Sequence, residues 1–158
     1  MPVDICGFLE ISSLDEGDLT QDGAWQTCID IGSLFLLTGD ECSILFGESK
    51  YSSSRPDSLD SPDKWLPIAK RRGVPTNMAY RTTQAVNEAL LNDSTIMSTW
   101  GFTYVTYDEI KRVDWQAYPS AELRDLAASF SWGLLFQLMQ TLDEAGKHQR
   151  LIVWFEWC

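Results

Sequence analysis

Residues 1–49 of this 158-residue chain contain no lysine and no arginine, against ten acids: Asp4, Glu10, Asp15, Glu16, Asp18, Asp22, Asp30, Asp40, Glu41 and Glu48. This stretch offers no basic arm for nucleic acid and no charged n-region of a secretory signal. Histidine is nearly absent too, with His148 alone, and the four cysteines (Cys6, Cys28, Cys42, Cys158) include no CxxC pair. No zinc site is expected on that spacing, and the thiols are expected to stay free in a reducing cytoplasm. The longest apolar run, near Trp132–Met139, falls far short of a bilayer span. P-loop, GxGxxG, GxSxG, HExxH and Cys/His dyad spacings are all missing, which weighs against an ordinary enzyme and against a bound cofactor. A net charge of −11 and a pI near 4.3 oppose direct binding to nucleic acid or to an anionic membrane.

What is present is core material. Seven Trp, seven Phe and five Tyr, within 44% apolar residues, supply one folded domain over residues 1–158. Val3, Ile5, Leu9 and Ile11 alternate with Asp4, Cys6, Phe8 and Glu10, the period-two pattern of a strand with one face on a core. After an acidic loop over Ser12–Gly23, Trp25–Ile31 alternates again, so an antiparallel pair is predicted. Thr38–Glu41 reads as a turn, and Cys42–Phe46 is too short for periodicity to choose between strand and helix. Thr76–Leu91 has helical spacing (Val86, Ala89, Leu90), and Asn92-Asp-Ser94 is expected to stop or loosen the helix. Trp100–Val105 suits a strand, and Thr106 with Glu109 forms a capping box that opens a helix over Tyr107–Val113. The strongest helix is predicted from Pro119-Ser120 to Gly146, with Leu123, Leu126, Phe130, Leu134, Leu138 and Leu142 as its apolar stripe. Just beyond it, His148 is assigned to the helix C-terminus and solvent. Arg150–Trp157 closes the chain as a central strand, apolar on both faces. The fold class is α+β: a small, mostly antiparallel sheet packed by one long C-terminal helix and shorter helices.

Against the acidic background stands one basic segment. Lys64-Trp-Leu-Pro-Ile-Ala-Lys-Arg-Arg-Gly-Val-Pro75 holds Lys64, Lys70, Arg71 and Arg72, four of the chain's twelve basic residues. It follows Tyr51–Asp63, a Ser-, Asp- and Pro-rich stretch that reads as a mobile surface loop. Lys70, Arg71, Arg72 and Gly73 form a candidate anion site: two guanidiniums offer forked donors to phosphate, and the glycine permits close backbone approach. Trp65, Trp100 or Tyr104 would then stack on a base. The other use of these arginines is pairing with the surplus carboxylates around them. Asp4 is a candidate catalytic carboxylate without an identifiable partner acid, base or metal. A structural pair with Arg72 or Arg150 is the preferred reading, and no catalytic residue is assigned.

Met1-Pro-Val-Asp-Ile-Cys6, Pro67-Ile-Ala-Lys-Arg-Arg-Gly-Val-Pro75, Trp100-Gly-Phe-Thr-Tyr-Val-Thr-Tyr-Asp-Glu-Ile110 and Gln149-Arg-Leu-Ile-Val-Trp-Phe155 follow one another along the chain. In that order they resemble the motifs of a family of small, mostly uncharacterised proteins frequent in bacteriophages and prophages. Its members open Met-Gly-Cys-Asp-Ile-His and carry a central Pro-Ile-x-x-Pro-Arg-Gly-Leu-Pro. A His-Ser-His-Ser-Trp-Leu-Thr-Leu-x-Glu-Leu stretch follows, and many end on Val-Arg-(aliphatic)-Val-Phe-Trp-Phe. Three family histidines fall at Cys6, Trp100 and Phe102 here, and neither Trp nor Phe can accept a proton or ligate a metal. The resemblance implies a phage-derived member that binds rather than turns over.

The leading expectation is a non-enzymatic binding or inhibitory protein, a counter-defence factor in the cytoplasm of a host cell. It would present Asp15, Glu16, Asp18, Asp22, Asp40 and Glu41 to the Lys/Arg groove of a basic, nucleic-acid-binding host protein. The plainer role of such acids is solubility. The runner-up is a nucleotide-binding or sequestering protein that clamps a small phosphate-bearing ligand at Lys70-Arg71-Arg72-Gly73. A diverged hydrolase using Asp4 ranks third.

Overall fold

The computed structural model describes residues 3–34, 36, 40–48, 67–96, 99–115 and 130–157. Four strands, β1 (Val3–Ser12), β2 (Gln26–Asp30), β3 (Thr99–Thr106) and β4 (His148–Trp157), form one antiparallel sheet in the order β2-β1-β4-β3. Between them lie α1 (Asp40–Phe46), α2 (Tyr80–Ile96), α3 (Tyr107–Lys111) and α4 (Phe130–Glu144). The α+β class and the antiparallel sheet stand as the patterning predicted. The closing strand is central, between β1 and β3, and Leu151 to Phe155 are buried on both faces.

Helices cover both sides of this sheet. On one face Val3, Ile5, Leu9, Val105, Leu151, Val153 and Phe155 pack with Leu45 and Phe46 of α1 and Trp132, Leu135 and Met139 of α4. On the other, Phe8, Ile152 and Trp154 meet Val86 and Ala89 of α2. β1 was expected to bury one face only. α2 crosses the second face, so Phe8 and Glu10 are buried as well. Close approach of β1 to β4 depends on Gly7, whose φ is +152°. A Cβ there would lie 2.0 Å from the Ile152 carbonyl oxygen.

Other expectations shift for local reasons. The short run Cys42–Phe46 belongs to α1. α2 starts at Tyr80 and runs past Asn92-Asp-Ser94 to Ile96. Each of those residues costs a helix only a few tenths of a kcal/mol relative to good formers, roughly 0.7 at most, too little to end it. The described part of the C-terminal helix is α4, fifteen residues, shorter than the seventeen of α2. Its predicted start at Pro119-Ser120 lies outside the described residues, as do the loop 51–63 and Trp65. Leu134 is 47% exposed, and the large apolar side chains buried in the described helix are Trp132, Leu135 and Met139. A strict four-residue repeat drifts around a helix of 3.6 residues per turn, so the leucines at 134, 138 and 142 cannot all share the core face. Gly146 ends the helix in a left-handed turn (φ +76°), with Lys147 N–H donating to the Leu142 carbonyl at 2.9 Å. His148, assigned from sequence to that helix end, opens β4 instead, opposite Ser12.

Candidate functional site

Three regions hold the candidate residues. The first is the basic segment, which lies along β3, the sheet's edge strand. Ala69 N–H donates to the Leu45 carbonyl at 2.8 Å, and Gly73 N–H to the Phe102 carbonyl at 3.0 Å. The Thr103 hydroxyl donates to the Ala69 carbonyl and accepts from Arg72 N–H at 3.2 Å. Edge strands invite foreign pairing, and this segment covers part of that edge. Arg71 sits in the left-handed region (φ +47°) and its Nε donates to Glu48 Oε1 at 2.8 Å. Glu48 is buried and also accepts from Trp100 Nε1 at 3.1 Å. Arg72 makes a forked pair with Glu109, at 2.7 and 3.0 Å. It also donates to the Ile68 and Tyr104 carbonyls and lies over the Tyr104 ring, 5.6 Å from its centre.

The two guanidiniums therefore point at different carboxylates. Trp100 packs on Trp157, with ring centres 4.8 Å apart. Lys70 is exposed, with its stem against Gly47. Burial pushes the Glu109 carboxyl up, but hydrogen bonds from Arg72 and Thr106 outweigh it and hold the group below its ordinary value. The same bond raises Arg72. The Thr106–Glu109 capping box read from the sequence is present, with Glu109 serving both the cap and Arg72.

The second region is the acidic loop between β1 and β2. Asp15, Glu16, Asp18 and Asp22 are exposed, and none has an ion pair to a described cation. The loop backbone is nevertheless tied down. The Leu19 carbonyl accepts from Trp25 Nε1 at 2.9 Å and from Asn77 Nδ2 at 2.8 Å, and Asn77 Nδ2 also reaches the Gln21 carbonyl at 3.1 Å. Behind these contacts is a buried pair, Glu10 and Arg150, directly opposite each other on β1 and β4. Arg150 Nε donates to Glu10 Oε2 at 2.8 Å, and its Nη atoms donate to the Asn77 side-chain and backbone oxygens, each at 3.2 Å. Glu10 Oε1 accepts from Ala79 N–H at 2.7 Å, and the Arg150 guanidinium lies 4.0 Å from the Trp25 ring centre. Burial lowers Arg150 from its ordinary value, against the pull of Glu10.

The third region is a cleft of about 270 Å³ at the end of the sheet, where α3, the C-terminus of α4 and the start of β4 meet the acidic loop. Its acids Asp108 and Asp143 are bridged by Lys111, at 2.8 and 3.1 Å. The bond from Lys111 also holds Asp108 below its ordinary value.

Asp4 is exposed on β1, opposite Glu156. The two arginines expected to pair with it bond to Glu109 and Glu10 instead, so that expectation is corrected: both arginines are already held by carboxylates closer in the fold. The side chains of Asp40 and Glu41 lie outside the described residues. Among the described residues no cluster of His, Cys, Asp and Glu is arranged to hold a metal ion, and no helix is long and apolar enough to cross a membrane. Sequence reading passed over Glu10, Glu48 and Asn77. For Glu10 a signal existed: a carboxylate on one apolar strand and an arginine on another become partners once the strands are aligned antiparallel. No family model, no curated protein and no solved structure matches the chain.

Proposed function

We propose that this chain is a non-enzymatic binding protein whose acidic loop, with Asp15, Glu16, Asp18 and Asp22, engages the basic groove of a nucleic-acid-binding protein. One observation carries the reading: four exposed carboxylates without an ion pair among the described residues sit on a loop tied to the buried Glu10–Arg150 pair through Trp25 and Asn77. A surface ordered during folding loses less freedom on binding, and fixed carboxylates can stand where phosphates would in the partner's groove. The likeness of its motifs to a phage and prophage family suits an inhibitor of a host protein, acting in the host cytoplasm. A phosphate clamp at Arg71 and Arg72 is less well supported, because binding there would require both arginines to release Glu48 and Glu109.

The test is binding to a panel of purified basic DNA- and RNA-binding proteins at low and moderate salt. At least one complex is expected, weakening as ionic strength rises. Replacing the four acids together (Asp15→Asn, Glu16→Gln, Asp18→Asn, Asp22→Asn) should lower its affinity about tenfold or more. A quadruple variant that binds like the parent would overturn the reading.

A further inference from the structure

Arg71 holds a left-handed backbone (φ +47°), the only non-glycine residue to do so among the described residues. Strain of that kind persists where the surrounding structure over-determines it, and it gathers at functional sites. Its side chain is 59% exposed, yet the carboxylate it meets, Glu48, is only 2% exposed. Glu48 Oε1 accepts from Arg71 Nε at 2.8 Å, and Oε2 accepts from Trp100 Nε1 at 3.1 Å. The residue after Trp100 is Gly101, left-handed as well (φ +71°), where the ladder between β3 and β4 slips. A Cβ on Gly101 would lie 3.3 Å from Glu48 Oε1 and 2.8 Å from the Phe155 ring, so this kink lets the buried carboxylate sit close against the strand. Bulges of this kind re-aim side chains beside functional sites.

A buried carboxylate spent on an exposed arginine is a poor stabilising device, because a solvated partner repays little of its desolvation. What it does is fix the guanidinium's orientation. Glu48 engages Nε alone, and the Nη1/Nη2 edge of Arg71 has no hydrogen-bond partner among the described residues. That edge is a planar fork matched to a carboxylate. A clamp shared with Arg72 would need both guanidiniums to turn from their acids, whereas a single carboxylate needs only this free edge. Across Glu48 stand Trp100 and Trp157, half-buried, with ring centres 4.8 Å apart, and exposed Lys70 adjoins Arg71. Arg and Trp are the side chains that most often carry the energy of a protein interface. The same end of the sheet bears Asp4 and Glu156, directly opposite each other on the face away from Trp157. Their charges repel a polyanion such as nucleic acid and leave room for a lone carboxylate. An open fork flanked by rings suits a side chain carried on a polypeptide, whose apolar neighbour covers the rings and dries the contact.

We propose that this corner of the sheet docks a peptide segment of a partner protein through one acidic residue. Its Glu or Asp carboxylate accepts from Arg71 Nη1 and Nη2 while Glu48 keeps its bond to Nε, and an adjoining aromatic residue packs on Trp100 and Trp157. The site lies at the Trp157 end of the sheet, about 30 Å from the acidic loop along the ten-residue β1. None of its residues belongs to that loop, so it stands or falls without the acidic-surface reading.

The experiment follows the Trp100 indole N–H signal of the isotope-labelled full chain by NMR during titration with short capped peptides. One peptide carries a single Glu beside a Phe, and matched peptides carry Gln for the Glu or Ala for the Phe. Acetate and inorganic phosphate complete the series. A saturable shift is expected with the Glu-Phe peptide, and affinity about tenfold lower or less for either matched peptide and for both simple anions. Arg71→Lys keeps a charge for Glu48 but loses the fork, so it should weaken the Glu-Phe peptide about tenfold while keeping the fold. Should that variant fail to fold, the Gln-for-Glu peptide on the parent chain decides alone. The proposal is overturned if the Glu-Phe peptide leaves the indole signal in place, if the Gln peptide binds as well, or if Arg71→Lys binds like the parent. Acetate or phosphate binding as tightly as the peptide would overturn it too.

Discussion

Two arginine–carboxylate systems in this molecule look alike on paper and differ in what surrounds them. Arg150 and Glu10 lie between the sheet and α2, with side chains 7% and 0% exposed, while Arg72 and Glu109 sit at the rim, 30% and 29% exposed. The buried pair was inconspicuous in the sequence, one acid and one base in apolar strands, yet it underlies the acidic loop and the Asn77 turn. The rim pair belongs to the most conspicuous run of charge in the chain, and its contacts serve the β3 edge. Clustered charge thus marks a segment that needs solvent and pairing. An isolated charge in an apolar strand marks a position where the fold must supply a partner, because desolvation makes an unpaired ion too costly.

The comparison can be broken most sharply at the buried pair. Arg150→Leu leaves Glu10 buried beside Ala79 N–H alone and is expected to cost about 3–5 kcal/mol in urea unfolding. Adding Glu10→Leu should recover part of that loss, since the orphaned carboxylate goes with it. Strictly additive effects in this double-mutant cycle would mean that the two groups are not coupled.

A smaller loss, about 1–3 kcal/mol, is expected for Asn77→Ala, which removes bonds to two loop carbonyls and to Arg150. Hydrogen exchange should quicken at the amides of Asp18, Gln21 and Ala24, which donate within the loop, while β4 amides keep their protection. Equal quickening in both places would mean that Asn77 supports the whole fold rather than the loop.

The rim pair should give the smallest change. Arg72→Ala is expected to cost about 0.5–1 kcal/mol near neutral pH, the usual range for partly exposed pairs. Glu109 titrates below its ordinary value of 4.5 in the folded state, so its contribution is complete above that pH and is lost as pH falls through the lower, folded value. The stabilities of parent and Arg72→Ala should therefore converge below about pH 4.5. A gap that stays constant across that window would show that Arg72 acts through packing on Tyr104 instead.

Much of the architecture was readable from local pattern. Period-two alternation placed β1 and β2, Thr106 and Glu109 announced α3, Gly146 marked the end of α4, and the doubly apolar Arg150–Trp157 run predicted a central strand. These features depend on backbone geometry and near-neighbour bonds, which a sequence encodes within a few residues. The short helix α1 escaped because Cys42–Phe46, five residues and apolar at all but Ser43, fits either periodicity. The second buried face of β1 escaped because it depends on α2, seventy residues away in the chain.

The candidate site follows the same division. That the first 49 residues are wholly without basic side chains, and that Asp15, Glu16, Asp18 and Asp22 are solvated, could be read from composition and loop chemistry alone. Which carboxylate each arginine meets was left to the tertiary structure. Arg72 meets Glu109 and Arg150 meets Glu10 across chain separations of 37 and 140 residues. Ion pairing has no sequence period, so its partners are chosen only when packing brings strands into register and removes water from around them.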